Sequence, residues 1–171
     1  MIEIVQADKG HIRAVLENLR EDDMLELAAC ESDFGRLPEI IMRHRVFAFC
    51  AFDYVHGPIA VWGMTTRRRG VGAGFAFGTE RWNMAVLPML RQIRRFVLPF
   101  LFDNDYHRVE AVALARRRDV ARFMTLIGAE PEGVLHGYGS GREDFISYRW
   151  LADEYAISRT AYKTHDQHVT H

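Results

Sequence analysis

A glycine-rich stretch in the middle of the chain has the spacing of a loop that binds phosphate groups. Within TTRRRGVGAG, residues 65–74, Arg67 precedes Gly70 and Gly72 in the pattern Arg-x-x-Gly-x-Gly. In such a loop, main-chain N–H groups hold the anion, and a helix follows directly and adds the positive end of its dipole. The segment that follows here alternates as a strand does. We therefore predict a hairpin turn at 67–70 with Arg67–Arg69 solvated at its tip, and a phosphate loop is the alternative.

Length and composition indicate one globular domain. The chain has 171 residues, of which 49% are hydrophobic and 26% are charged, as is usual for a protein with a substantial core. The net charge of -1 argues against direct binding of nucleic acid. The longest apolar run, 96–102, is far shorter than the ~20 residues of a membrane span. With no signal-peptide pattern at the start and no disulfide framework, we predict a cytoplasmic protein without a membrane partner.

Hydrophobic periodicity and turn residues predict strands interspersed with helices. Strands are expected at 2–7, 46–53, 58–66, 70–79, 107–115, 132–139 and 144–151, and helices at 9–19, 21–30, 37–45, 84–102 and 116–127. Asp8 is the expected N-cap of the first helix, and Pro99 should end or kink the long one. The main elements follow the order β-α-α-β-β-β-α-β-α-β-β, which predicts an α/β sandwich around a mixed, mostly antiparallel sheet. We expect a single domain over 1–152 and a polar tail over 153–171.

The tail contains the one spacing that suggests a metal. His165, His168 and His171 follow the pattern His-x-x-His-x-x-His. Metal-binding histidines are oriented by further hydrogen-bonding partners on a rigid frame, which a polar tail does not offer. We therefore predict no metal site.

The second half of the chain resembles the GNAT superfamily of acetyl-CoA-dependent N-acetyltransferases. The resemblance lies in the run from Val112 to Ala129, in which Ala121, Phe123 and Gly128 follow the family pattern. Arg118 departs from it, because the family usually has an asparagine at this position. Further upstream, the sequence WG…GVG…GT is similar to a phage-encoded branch of this fold. That branch includes a small internal virion protein of short-tailed coliphages. The resemblance implies the GNAT fold for most of residues 2–150.

The resemblance also implies a site for acetyl-CoA and an amine acceptor. Glu80 occupies the expected position of the general base. Met124 replaces the tyrosine that commonly protonates the leaving thiolate, so Tyr138 becomes the candidate acid. The junction between the fourth strand and the following helix lacks the family's glycine pair. The cofactor-binding candidates are Gly78, Thr79, Arg81, Trp82, Asn83 and Arg118.

Each of these assignments has a simpler alternative. Glu80 is also a favourable carboxylate near a helix N-terminus, Thr79 a helix cap, and Arg81 and Arg118 surface residues. The alternative function is a non-catalytic GNAT-fold component of a phage, associated with other virion proteins. In that case the protein would be found in the host cytoplasm or in the virion. Self-association is compatible with both functions.

Overall fold

The fold is a seven-stranded sheet with helices on both faces. The computed structural model describes residues 1–30 and 33–156. The strands are β1 (Ile2–Gln6), β2 (Arg45–Asp53), β3 (Gly57–Arg68), β4 (Val71–Gly78), β5 (Arg108–Leu114), β6 (Glu130–Leu135) and β7 (Phe145–Leu151). They lie in the order β1-β2-β3-β4-β5-β7-β6, and only β4 and β5 are parallel neighbours. The predicted mixed, mostly antiparallel sheet is confirmed.

Within the described residues, the α-helices follow the predicted order, with six in place of the five predicted. They are α1 (Lys9–Leu16), α2 (Glu21–Cys30), α3 (Leu37–His44), α4 (Trp82–Gln92), α5 (Leu98–Asp103) and α6 (Arg118–Leu126). Asp8 caps α1, because its side chain accepts a hydrogen bond from the N–H of His11. The single helix predicted at 84–102 is instead α4, a π-helical turn over Ile93–Val97, and α5 with Pro99 in its first turn. The wider turn accommodates the proline, which lacks an N–H to donate.

Alternate residues of the central strands face two different groups of helices. Val61 packs in a core with Ile12 of α1 and Ile41 of α3. Its neighbour Trp62 packs on the other face, in the core that contains residues of α4, α5 and α6. This alternation follows from the two-residue period of a strand. The tail predicted at 153–171, including its three histidines, lies largely outside the described residues.

The glycine-rich stretch forms the β3–β4 hairpin, as predicted, but its turn is shorter than the expected 67–70, because Arg67 and Arg68 belong to β3. Thr65 pairs with Ala73 and Arg68 pairs with Val71. Gly70 has φ +73°, a conformation that glycine adopts readily. Gly72 is needed for a different reason, since a Cβ there would lie 2.2 Å from the Met64 sulfur. The glycine spacing therefore serves a tight turn and side-chain packing.

Strands β4 and β5 separate soon after they begin. They pair over three positions only, the last of which joins Ala73 to Glu110. Beyond that point β4 continues to Gly78 beside β3, and β5 continues to Leu114 beside β7. The sheet therefore contains a V-shaped opening with its vertex near Ala73 and Glu110.

Candidate functional site

An apolar cavity of about 320 Å³ occupies the opening between β4 and β5. Its lining includes Trp62 and Met64 from β3, Ala111 from β5 and Phe123 from α6. Gly74, one residue beyond the vertex, also lines it, and a Cβ at that position would have no atom closer than 3.8 Å. The cavity can therefore take a narrow, largely apolar group.

A second cavity, of about 330 Å³, adjoins the first at the vertex. Gly74, Ala111 and Val112 line both cavities. The polar lining of the second comes from Arg67, Glu110, Tyr138 and Ser147. The opening in the sheet thus connects an apolar compartment with a compartment that contains a carboxylate and a phenol.

Glu110 is held at the vertex by two guanidinium groups. Arg67 Nε lies 3.3 Å from Glu110 Oε1, and Arg108 Nε lies 3.2 Å from Glu110 Oε2. Glu110 is not among the residues that the sequence predicts for the site. In the sequence it is only a charged residue inside the predicted strand 107–115, and no local pattern reveals that β4 and β5 separate beside it.

Tyr138 belongs to the loop between β6 and β7. The side chain of Asp144 fixes this loop, since Oδ1 accepts the Gly137 N–H at 2.8 Å and Oδ2 lies 2.9 Å from His136 Nδ1. The Tyr138 ring packs on Phe145 with centroids 5.2 Å apart, and the residue remains 46% exposed. The phenol thus stays accessible beside the second cavity.

Glu80 lies at the far end of β4 from Tyr138. It is exposed and lines neither cavity. Glu80 lies six positions after Gly74, which corresponds to about 20 Å of extended chain. The structure therefore does not bring the two catalytic candidates together, and the assignment of Glu80 as a base stays a prediction.

The main chain at the end of β4 already has hydrogen-bonding partners. The Gly78 N–H donates to Asp23 Oδ2 at 2.7 Å, and the Thr79 N–H donates to the Ile59 carbonyl at 2.9 Å. The Thr79 hydroxyl oxygen accepts the Arg81 N–H at 3.2 Å, in the turn just before α4, whose N-cap residue is Arg81. Trp82 is buried, and its ring lies 2.6 Å from the position of a Cβ on Gly78.

A buried arginine, Arg117, lies between three carboxylates at the end of the opening where β4 stops. Arg117, 5% exposed, directs Nη1 to Asp23 at 2.6 Å and to Glu26 at 3.3 Å, and Nη2 to Asp119 at 2.9 Å. Burial lowers the pKa of Arg117, but the three carboxylates outweigh that effect and raise it. Burial also raises the pKa of Glu26. The neighbouring Arg118, a cofactor-binding candidate, is the exposed first residue of α6.

Sequence reasoning missed this ionic cluster. Acids at the start of a helix such as α2 are favourable for the helix dipole without any partner, and arginines at 116–118 are compatible with a solvated helix start. The pattern EDDMLE does place Asp23 and Glu26 three residues apart, so both occupy one face of α2. Nothing in the sequence identifies Arg117 as the residue that they contact.

Acetyl-CoA consists of a narrow thioester arm and a phosphorylated nucleotide. The residues around the opening suit these two parts to different extents. The apolar opening with Gly74 near its vertex fits the arm. At the end of β4, the N–H donors that a glycine-rich loop would offer are engaged by Asp23 and Ile59. The exposed guanidinium groups of Arg81 and Arg118, at the starts of α4 and α6, offer positive charge for phosphates.

Other site types find no support among residues 1–30 and 33–156. No group of three or more potential metal ligands occurs within these ranges. In the same part of the chain, no helix is long and apolar enough to cross a membrane.

Known structures share this architecture. No protein-family model and no curated protein sequence matches the chain. A point mutant of the spermidine N-acetyltransferase SpeG from Vibrio cholerae aligns with a TM-score of 0.64 at 14% identity, over 90% of this chain and 96% of that one. The ribosomal-protein-S5-alanine acetyltransferase from Vibrio fischeri aligns with a TM-score of 0.61 at 15% identity, over 90% and 94%. The chain therefore has the fold of the GNAT N-acetyltransferases.

Proposed function

We propose that the protein transfers an acetyl group from acetyl-CoA to an amine. The observation that carries this proposal is the opening between β4 and β5, where an apolar cavity adjoins a polar one at Gly74. A donor arm and an acceptor that enter from opposite sides would meet at the vertex, and such positioning accelerates a reaction between two molecules. The fold neighbours add support, since the two named above are acetyltransferases for a polyamine and a protein alanine.

Residues of the second cavity can supply the required proton transfers. Acetyl-CoA, when bound, provides a thioester whose acyl carbon is open to attack by an amine. The Glu110 carboxylate can accept the proton that an acceptor ammonium must lose before it attacks. The Tyr138 hydroxyl can donate a proton to the departing thiolate, which Met124 cannot do. The main-chain N–H and C=O groups of β4 that face the opening can orient the arm.

Replacement of Gly74 tests whether the opening holds the donor. Gly74→Val should reduce the affinity for acetyl-CoA by about tenfold or more, equivalent to about 1.4 kcal/mol, because the new side chain fills the opening. The same variant should unfold at the wild-type temperature, since there is space for its Cβ. Isothermal titration calorimetry and thermal denaturation measure the two effects.

Gly133→Val is the matched control, because Gly133 lies on exposed β6 with no atom within 4 Å of its Cβ position. Equal affinity of Gly74→Val and Gly133→Val for acetyl-CoA would mean that the donor does not use the opening.

Removal of the Tyr138 hydroxyl tests the proposed acid. Tyr138→Phe keeps the ring contact with Phe145 and should lower kcat by about 10²-fold, with KM unchanged, as expected when a general acid is lost. Thiol release over a panel of amines measures both constants. Tyr54→Phe, at the exposed β2–β3 turn, should behave as the wild type. A kcat within twofold of the wild type would remove Tyr138 from the mechanism.

A second candidate function is a non-catalytic GNAT-fold component of a phage virion. The contact of Asp23 with the Gly78 N–H favours it, because this contact occupies the main chain where a GNAT protein would hold phosphates. On this alternative, the folded protein gives no heat with millimolar acetyl-CoA and releases no thiol with any amine. It would also assemble with other virion proteins or with itself.

A further inference from the structure

Helix α2 joins the two separated strands across the open end of the V. Asp23 Oδ2 accepts the Gly78 N–H of β4 at 2.7 Å, and Glu26 Oε2 accepts the Leu114 N–H of β5 at 3.0 Å. Both N–H groups belong to strand ends that no longer pair with each other. A single helix face therefore satisfies both sides of the opening with carboxylates.

We infer that α2 is a built-in closure of the donor end of the cleft. The Asp23 carboxylate occupies the anion position at the end of β4, and a phosphorylated donor can use that position only after α2 withdraws. Because this inference rests on the proposed donor, it deepens the proposed function with a closed form and an open form of the same site.

The charges of the cluster favour exchange of one anion for another. Asp23 is 2% exposed and contacts two guanidinium groups, with Nη1 of Arg117 at 2.6 Å and Nε of Arg20 at 2.9 Å. Loss of a buried partner without replacement leaves an uncompensated charge, which is strongly unfavourable. A phosphate group that arrived as Asp23 left would keep both arginines paired, since guanidinium binds phosphate and carboxylate in similar geometry.

Arg20, the residue just before α2, makes further contacts that would break if α2 withdrew. The Arg20 guanidinium, just before α2, lies 4.6 Å from the centroid of the Trp82 ring and 3.3 Å from Asp119. The Trp82 ring meets Phe123 of α6 edge-on, with centroids 5.9 Å apart. These contacts link the starts of α4 and α6 over the opening. Withdrawal of α2 would therefore change the surroundings of Trp82, which gives a fluorescence signal.

A limited set of contacts holds α2 in place. At its start, the Arg20 N–H donates to the Gly78 carbonyl at 3.0 Å. At its end, the Ala29 carbonyl accepts the Ser140 N–H at 2.9 Å. The apolar contribution is limited to Ala29, which is buried, and Leu27, which is partly buried against the core of α1 and α3, while Met24 and Leu25 remain exposed. A helix held mainly by polar contacts can be released without opening a large apolar core.

Binding of CoA, which cannot turn over, tests the closure directly. Asp23→Asn keeps an acceptor for the Gly78 N–H but removes the negative charge. This variant should bind CoA at least about tenfold more tightly than the wild type. Asp22→Asn changes the exposed neighbour and should bind as the wild type. Calorimetry gives the affinities, and thermal denaturation establishes that each variant is folded.

A measurement on the wild type covers the case in which Asp23→Asn does not fold. Saturation with CoA should speed hydrogen exchange of the amides of α2 and change the tryptophan fluorescence. The fluorescence change should be smaller in Trp82→Phe, where only the tryptophans that line the cavity itself, Trp62 and Trp150, can respond to the donor. Unchanged exchange in α2 despite bound CoA would overturn the closure.

The outcomes separate the closure from the proposed function. If wild type and Asp23→Asn bind CoA equally tightly, the closure is wrong and the proposed donor stands. If Asp23→Asn gains affinity but no amine is acetylated, the closure stands and the proposed reaction fails. If neither folded protein binds CoA at millimolar concentration, both are wrong.

Discussion

Arg117→Ala will lower the free energy of unfolding by about 3–5 kcal/mol, the range observed when one partner of a buried ion pair is removed. Arg117 is 5% exposed and contacts three carboxylates, of which Asp23 is itself 2% exposed. The truncation would leave the Asp23 charge with Arg20 alone and would free Glu26 from its guanidinium partner. Urea denaturation monitored by circular dichroism measures the loss.

Arg118→Ala is the matched control, because the adjacent arginine is exposed and should change stability by less than about 0.5 kcal/mol. A double-mutant cycle sharpens the test. Asp23→Ala with Arg117→Ala should cost less than the sum of the two single variants, since the second truncation removes the charge that the first left unpaired. A loss below about 1 kcal/mol for Arg117→Ala, or an additive cycle, would mean that the cluster does not hold the cleft end together.

The framework of the fold could be predicted because its signals are local. Asp8 stands directly before the helix that it caps, and Gly70 lies inside the turn that requires its positive φ. The strand and helix order followed from periods of two and 3.6 residues within short windows. At Pro99, where an end or a kink was expected, the irregularity lies just before the proline as a π-helical turn over Ile93–Val97, and the helix continues through Pro99 to Asp103.

The polar contacts of the site could not be predicted in the same way, because its partners are distant in sequence. Asp23 contacts Gly78, 55 residues away, and Arg117, 94 residues away. Neither pair leaves a spacing that a single sequence reveals. Of the residues selected from the resemblance, Tyr138 lines a cavity at the vertex, whereas Glu80 lies beyond the opposite end of β4. The resemblance predicted where the strands end. It did not predict that Asp23 and Glu26 accept hydrogen bonds from the ends of β4 and β5.

The glycines show how one pattern can have two physical causes. The spacing that resembles a phosphate loop arises here from the positive φ of Gly70 and from the Met64 side chain, whose sulfur lies 2.2 Å from the Cβ position of Gly72. A glycine outside the spacing, Gly63, also makes room for a side chain, because the Phe75 ring lies 2.6 Å from its Cβ position. Sequence spacing alone does not distinguish a glycine that approaches a ligand from one that makes room for a neighbouring side chain.

Gly63→Val will destabilise the protein by about 3 kcal/mol or more, at or above the upper end of the usual range for overpacking. Gly63 lies in the middle of β3, between Ala48 of β2 and Phe75 of β4. Its Cβ would lie 2.5 Å from the Phe47 carbonyl oxygen and 3.0 Å from the Ala48 Cα. Both atoms are main chain in a paired strand, so they cannot move aside without breaking the sheet.

Thermal denaturation and chemical denaturation measure this loss, with Gly74→Val as the matched control on the neighbouring strand. That control should cost less than about 1 kcal/mol, since its nearest atom is 3.8 Å away. Phe75→Ala added to Gly63→Val should restore only part of the loss, because it removes the ring contact but leaves the clash with the Phe47 carbonyl. Full recovery in the double variant would show that the ring alone requires the glycine, and wild-type stability of Gly63→Val would contradict the packing described for the centre of the sheet.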